Sequence, residues 1–387
     1  MLAGYGVLVM IALMSRAPAL ERGVGADVLA RWHGVGGRIV VTLVLVHAWA
    51  AVLTWSQSRG EGPLLSSWQV LHLPDLMTAT LGTLLLLTVA AVSARSARRR
   101  LSYETWHGLH LLTYVAIGLS FAHQLAGPDF TGHLWLQIVW SLLYAEVFGL
   151  LLAHRVIAPL RQGVRHRLRV DAVLPLAPGV VSIVVAGEHL EELHAEPGQF
   201  FRWRFLTSPT WRSAHPFSLS AAPTGHHLRI TVKALGGGST LLQHIPVGTR
   251  VLAEGPYGAM TAAARTRRHV LLIAGGVGIT PLRTLLETLP VLPGQDLTLL
   301  YRARSTAELL FRDELDAIAH HRSVRVRYLL GADRSSLTAP GLQRLVPDIA
   351  ERDVYLCGPP NLADTVRRTL AELNVPDRQV HEERFAF

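Results

Sequence analysis

The sequence predicts a membrane-embedded α-helical bundle, followed by a small antiparallel β-barrel and then an α/β unit on a parallel sheet. Three observations carry this. Half of the 387 residues are hydrophobic and only 17% are charged, mean hydropathy is positive, and the apolar character is concentrated before residue 155. After residue 160, short alternating segments are split by Pro and Gly turns. From His269 onward, apolar strand-like runs alternate with helical ones, the pattern of a parallel sheet with crossover helices.

Apolar segments lie near residues 1–15, 33–55, 74–94, 105–126 and 133–153. A span needs about 20 residues, so the first reads as part of a longer helix or as a misassigned start. It has no basic n-region and no small-residue cleavage site, which argues against a signal peptide. Arg16, Arg22 and Arg31 follow the first segment. Arg95, Arg98, Arg99 and Arg100 follow the third, and Arg155, Arg161, Arg165, Arg167 and Arg169 follow the fifth. The opposite loops carry Arg59 with Glu61 and Asp75, then Asp129. The positive-inside rule therefore puts the large C-terminal part in the cytoplasm of a multi-pass cell-membrane protein. The formal charge of +9 suits anionic lipid headgroups and phosphorylated cofactors. No aromatic-interleaved basic patch argues for nucleic acid, and a single cysteine, Cys357, excludes a disulfide framework.

Four histidines sit inside the apolar helices. His33 and His47 are fourteen residues apart; His110 and His123 are thirteen apart. At about 1.5 Å per residue, each pair spans about 20 Å, within a hydrocarbon core of about 30 Å. A lone intramembrane histidine is often a packed polar residue. Two matched pairs point instead to His33/His110 near the cytoplasm and His47/His123 near the outer face, each able to hold one haem through two imidazoles. Thirteen residues leave about 140° of rotation on an ideal helix. The second helix is therefore expected to need a π-bulge, an overwound turn or a tilted haem, and His107 is an alternative ligand to His110.

In the barrel, strands are expected at 168–172, 180–186, 200–205, 228–234 and 250–254. In the α/β unit they are expected at 270–274, 297–301, 324–330 and 354–356. The resulting boundaries are 1–155 for the membrane part, 162–262 for the barrel and 268–387 for the α/β unit. The strongest soluble motif is the strand–turn–helix carrying Gly275, Gly276, Gly278, Thr280 and Pro281. Glycines let backbone approach a pyrophosphate, Thr280 can donate a hydroxyl, and Pro281 fits a first helical turn. It departs from the GxGxxG pattern. Cys357-Gly358-Pro359-Pro360 also ends a strand, so both motifs should flank one crevice at the carboxyl ends of the sheet. There Cys357 would touch a bound ring. Arg302, Arg304 and Ser305 follow the second strand of this unit, where an adenosine 2′-phosphate would sit, and they predict NADPH over NADH. His215-Pro216-Phe217-Ser218 and Gly237-Gly238-Ser239-Thr240 lie in the barrel; the latter can open a short helix whose amides bind phosphate.

Taken together, these motifs with Glu254-Gly255-Pro256-Tyr257-Gly258 and Glu383-Arg384-Phe385-Ala386-Phe387 resemble the ferredoxin-reductase-like flavoproteins. With the histidine helices, the whole chain is similar to the ferric reductase and NADPH oxidase superfamily. The resemblance implies that His215, Pro216, Phe217 and Ser218 hold the flavin and its ribityl chain, with His215 where soluble members often have Arg. It implies that Gly237, Gly238, Ser239 and Thr240 hold the FAD pyrophosphate, and that Gly275 to Pro281 take the nicotinamide dinucleotide with Gly358 and Pro359. It places Cys357 near the nicotinamide and Phe387 over the flavin ring, moving aside for nicotinamide. The family usually has six membrane helices, against five here. Superoxide-producing relatives often carry a further histidine where this chain has Ala51.

The expected activity is electron transfer from cytoplasmic NADPH or NADH through FAD and two b-type haems to an acceptor outside. Moving an electron outward against the potential costs about 2.3 kcal/mol per 100 mV. Ferric chelate is the first candidate acceptor. The alternatives are oxygen, as in a superoxide-producing oxidase, or a redox partner protein served by a haem-free membrane-anchored flavin reductase.

Overall fold

The computed structural model describes residues 1–94, 97, 100, 101, 103–332 and 335–384. Phe387, and Arg95, Arg98 and Arg99 of the basic loop, lie outside the described residues. The chain divides into two compact units, Met1–Ile157 and Ala158–Phe387.

The first unit is helical: α1 (Leu2–Leu13), α2 (Pro18–Val24), α3 (Ala26–Arg59), α4 (Pro63–Leu71), α5 (Pro74–Ser93), α6 (Tyr103–Ala126) and α7 (Leu134–Leu152), then a π-helical turn at Ala153–Ile157. Among the described residues, four stretches are long and apolar enough to cross a membrane: Val28–Arg59, Leu76–Ser93, Thr105–Ala126 and Leu134–His166. The helix α1, with 12 residues, is shorter than such a span. Helix α3 outruns its predicted segment at both ends. Its 34 residues would reach about 50 Å. It stops only where Gly60 takes the left-handed conformation and returns its N–H to the Ser56 carbonyl, a common helix terminator.

Two short helices were not expected from the sequence. Each starts on a proline, Pro18 or Pro63, whose fixed φ suits a first turn. Helix α4 is tied to α3 by Trp55 Nε1, which donates to Gln69 Oε1 at 3.0 Å. Leu8, Ile11, Ile117, Phe130, Trp140 and Tyr144 form the buried centre where α1, α6 and α7 meet. Large apolar side chains elsewhere, such as Trp49, Leu84 and Leu142, are exposed, as helices facing lipid require.

The second unit opens with α8 (Ala158–His166). Six strands follow: β1 (Arg169–Ala177), β2 (Val180–Ala186), β3 (Phe200–Phe205), β4 (His215–Ser218), β5 (His227–Lys233) and β6 (Val251–Tyr257). They form two antiparallel three-stranded sheets, ordered β1-β2-β5 and β4-β3-β6. Bridges Arg169–Arg250 and Leu219–Ile230 join them. Alternating residues such as Ile183, Val185, Phe201, Trp203 and Phe205 fill the barrel. Between β5 and β6 comes the single turn α9 (Gly238–Leu241).

The α/β part runs β7 (His269–Gly275), α10 (Ile279–Thr288), β8 (Leu297–Ala303), α11 (Arg312–Arg322), β9 (Arg325–Leu330), α12 (Ala339–Leu345), β10 (Arg352–Gly358), α13 (Pro360–Glu372) and β11 (Val380–Arg384). All five strands are parallel, in the order β11-β10-β7-β8-β9. Strand β7 shows why both faces are covered. Val270, Leu272 and Ala274 pack with α10 and α11, while Leu271 and Ile273 pack with α12 and α13. A run buried on both sides needs no polar alternation. The chain winds outward from β7 to β9 and returns to β10 on the other side, so the switch point of the sheet lies between β7 and β10.

Candidate functional site

In the helical unit, the histidines come together in the predicted couples. The His33 and His110 ring centres are 6.0 Å apart, and those of His47 and His123 are 6.2 Å apart. A metal–imidazole bond of about 2.0–2.1 Å on each side of one metal ion, with about 1.1 Å from each nitrogen to its ring centre, gives about 6.3 Å. The residues therefore fit a bis-imidazole iron at both levels. The ring that faces His33 is that of His110. His110 also stacks on Trp106 at 5.1 Å.

No π-bulge interrupts the second helix: α6 is α-helical from Tyr103 to Ala126, and the π turn falls after α7. The inner couple also has its second nitrogens engaged. His33 Nδ1 donates to the Met10 carbonyl at 3.1 Å. His110 Nδ1 lies 3.4 Å from Ser93 Oγ, which accepts Trp106 Nε1 at 3.2 Å. Such contacts orient a ligating imidazole and leave Nε2 for the metal.

In the barrel, strand β4 carries His215 to Ser218. The His215 imidazole lies against the α9 turn so closely that a Cβ on Gly238 would come within 2.5 Å of it, so a larger residue there would push the imidazole aside. The Phe217 carbonyl accepts Trp203 Nε1 at 3.0 Å, Pro216 is exposed, and Ser218 is buried with no hydrogen-bond partner for its hydroxyl among the described residues. A buried orphan hydroxyl fits a polar ligand such as a flavin edge. The loop before α9 is held by Ser239, whose Oγ donates to the Gly236 carbonyl at 2.8 Å and accepts Leu235 N–H at 3.0 Å. Thr240 follows in the same turn.

At the switch point the two α/β motifs meet. A Cβ on Gly275 would lie 2.2 Å from Leu362 Cδ2, and one on Gly278 would lie 2.3 Å from the Cys357 carbonyl oxygen. These glycines let the β7 turn pack on the β10 turn. Gly276 differs: its φ is +54° and a Cβ would meet nothing within 4 Å. Its carbonyl accepts the Tyr301 hydroxyl at 3.1 Å, and burial pushes that phenol up to about 12. Tyr301 thus positions the loop, a role invisible in the sequence because the two residues are 25 positions apart.

Thr280 is buried and donates to the Val277 carbonyl at 3.0 Å, so its hydroxyl is spent within the turn. Pro281 lies in the first turn of α10. Cys357 is fully buried in the core. Burial, then Glu383 and Glu382, push its thiol well up, which keeps it neutral.

Around the turns opens a cleft of about 550 Å³, lined by Gly275, Gly276, Pro359 and Leu362 on one side and by Lys233, Arg302, Arg304 and Glu308 on the other. Both predicted arginines reach it, but neither is idle. Arg302 donates to the Leu329 carbonyl at 3.2 Å and the Gly331 carbonyl at 2.5 Å. Arg304 is paired with Glu308 at 2.8 Å. Lys233 and Glu308 were missed as site residues. Barrel and α/β part are joined by Arg229 and Arg283, which share Glu314, and by Gly198 N–H donating to Thr284 Oγ1 at 2.9 Å.

Fold and cleft together define a flavin- and nicotinamide-binding module of the oxidoreductase type. Residues 1–121 match the model of the ferric reductase like transmembrane component, and residues 272–368 match that of the oxidoreductase NAD-binding domain. The chain is 30% identical over 236 residues to ferredoxin–NADP reductase B of Sorangium cellulosum, covering 56% of this chain and 96% of that protein. It is 33% identical over 199 residues to the ferredoxin reductase component of 3-ketosteroid-9-alpha-monooxygenase of Mycobacterium tuberculosis, covering 50% of this chain; it spans only 55% of that relative's length. A flavohemoglobin structure from Malassezia yamatoensis, 18% identical, aligns over 99% of this chain and 94% of its own with a TM-score of 0.50, a likeness of fold alone. The chain belongs to the ferric reductase and NADPH oxidase superfamily, with a ferredoxin-reductase-type FAD/NAD(P) module after a ferric-reductase-like membrane component.

Proposed function

We propose that this chain is a transmembrane oxidoreductase that takes reducing equivalents from cytoplasmic NAD(P)H and delivers single electrons to an extracytoplasmic acceptor, ferric chelate first. The observation that carries this is the coexistence, in one chain, of a cleft at the switch point of a parallel sheet and two histidine couples at 6.0 and 6.2 Å. His33 with His110, and His47 with His123, would hold two b-type haems. A bound flavin supplies the conversion of a hydride pair to single electrons, and a bound haem supplies one-electron chemistry. The Met10 carbonyl and Ser93 keep the inner imidazoles in the orientation that presents Nε2. Ser218 and His215 would bind the flavin, with Gly237 to Thr240 beside its pyrophosphate. Tyr301 holds the Gly276 loop against the nucleotide, and Cys357, kept as a neutral thiol, contributes packing near the nicotinamide. Phe387 would cover the flavin.

The test is purified protein in sealed proteoliposomes. NADPH is supplied on the side of the soluble module, and ferric reduction and superoxide are followed inside. Ferric reduction across the bilayer is expected; reduction confined to the NADPH side would reject the proposal. A second reading is favoured by the relative named as a ferredoxin reductase component: a haem-free anchored flavin reductase serving a redox partner protein. Purified protein without a Soret band would select it.

A further inference from the structure

The nucleotide cleft carries three cationic side chains and one carboxylate, and their engagement is unequal. Arg302 is fixed by two backbone carbonyls at 3.2 and 2.5 Å, so it forms a rigid positive wall. Lys233 lines the same cleft from the barrel strand β5, where its charge also acts on Glu308. Arg304 is 82% exposed at its side chain, so a ligand in the cleft can reach it. Glu308 holds it by several contacts. Oε1 lies 2.8 Å from the guanidinium, while Oε2 accepts Arg304 Nε at 3.2 Å and Arg304 N–H at 3.3 Å. The Thr306–Glu308 helical turn brings Glu308 back over Arg304.

From this arrangement we infer that Glu308 sets the choice between NADPH and NADH. The inference rests on the reading of this cleft as the nicotinamide dinucleotide site. Glu308 takes the Nε and Nη2 edge of Arg304, so a 2′-phosphate must either displace the carboxylate or take the remaining edge of the guanidinium, and in both cases it lies beside a second anion. A ribose 2′-hydroxyl needs no displacement, because a carboxylate accepts its hydrogen bond. The two arginines that argue from sequence for NADPH are therefore both engaged before any phosphate arrives. One is bound to the main chain and the other is paired with an acid four residues on. Glu308→Gln keeps the shape, removes the charge and releases Arg304 for bidentate contact with phosphate.

The test uses full-length protein in detergent and two fragments that report binding without turnover: adenosine 2′,5′-bisphosphate and adenosine 5′-monophosphate, each titrated by calorimetry. The ratio of kcat/KM for NADPH and NADH is measured alongside. Glu308→Gln should raise both the bisphosphate preference and the NADPH/NADH ratio at least tenfold. Adding Arg304→Ala should remove that gain. Arg304→Ala alone should change either ratio less than threefold. Asn361→Trp, which fills the cleft from α13, should weaken both fragments at least tenfold. If Asn361→Trp acts so but Glu308→Gln leaves the ratios within twofold of the parent, the cleft is the nucleotide site and Glu308 has no part in selectivity. If Asn361→Trp leaves both affinities unchanged, the cleft reading fails and the inference falls with it.

Discussion

Replacing His47 or His123 with alanine should remove one haem of two and leave the other in place. The two couples are independent in the structure. His47 pairs with His123 at 6.2 Å and His33 with His110 at 6.0 Å, and fourteen residues of α3 separate the levels by about 21 Å. Removing an outer ligand therefore leaves the inner pair, with its Met10 and Ser93 contacts, untouched. Haem per polypeptide should fall from about two to about one, judged by the two-site stoichiometry of bis-imidazole ligation. Ser93→Ala tests the inner support. Losing a contact to the far nitrogen of a ligand typically costs about 10–100-fold in metal affinity. The 3.4 Å separation from His110 is at the long limit of a hydrogen bond, so a loss near tenfold is expected. The assays are pyridine haemochrome content per protein and the low-spin absorption spectrum. Two haems retained in both His47→Ala and His123→Ala would refute the ligand assignment. A loss in His107→Ala without one in His110→Ala would move the inner ligand to His107, against the ring geometry.

Three further outcomes follow from the soluble unit. Gly276→Ala should cost about 1–2 kcal/mol for a positive φ, whereas Gly278→Ala forces a Cβ onto the Cys357 carbonyl, shifts the loop and raises KM for the dinucleotide about tenfold; thermal melts showing Gly276→Ala as the more damaging would contradict this. Ser218→Ala removes a buried orphan hydroxyl. It should stabilise the flavin-free protein, by about 1 kcal/mol of relieved desolvation, while weakening FAD several-fold; unchanged FAD affinity by fluorescence titration would take Ser218 out of the site. Burial pushes the Asp296 carboxyl up, but hydrogen bonds from Arg325, Arg352 and Thr298 outweigh it and hold it at about 2. A depressed carboxylate stabilises the fold above its unfolded value and loses that contribution as pH falls from about 4 to about 2, roughly 1 kcal/mol once solvent screening is allowed for. Denaturant melts of Asp296→Asn should show a flatter acid limb than the parent, and identical limbs would exclude Asp296.

Periodicity and composition carried most of the architecture. Strand β2 coincides with an apolar run between turns, Val180–Ala186, and β3 with alternating burial over Phe200–Phe205. The buried run of β7 is legible as a strand because glycines close it. The four histidines were legible as two couples because their spacing along the chain is a property of the sequence itself. The sequence could not decide which ring of His107 and His110 turns toward His33, because that depends on helix crossing and side-chain reach. It could not separate glycines that admit backbone packing, Gly275 and Gly278, from the one that turns the chain, Gly276. It offered Arg302 and Arg304 as contacts for a 2′-phosphate, and the tertiary structure gave each a partner: carbonyls of β9 and its following turn for one, Glu308 for the other. The physical reason is common to these cases. Covalent order fixes which groups exist and their local periodicity, while the charge a ligand meets depends on which partners folding brings within hydrogen-bond distance.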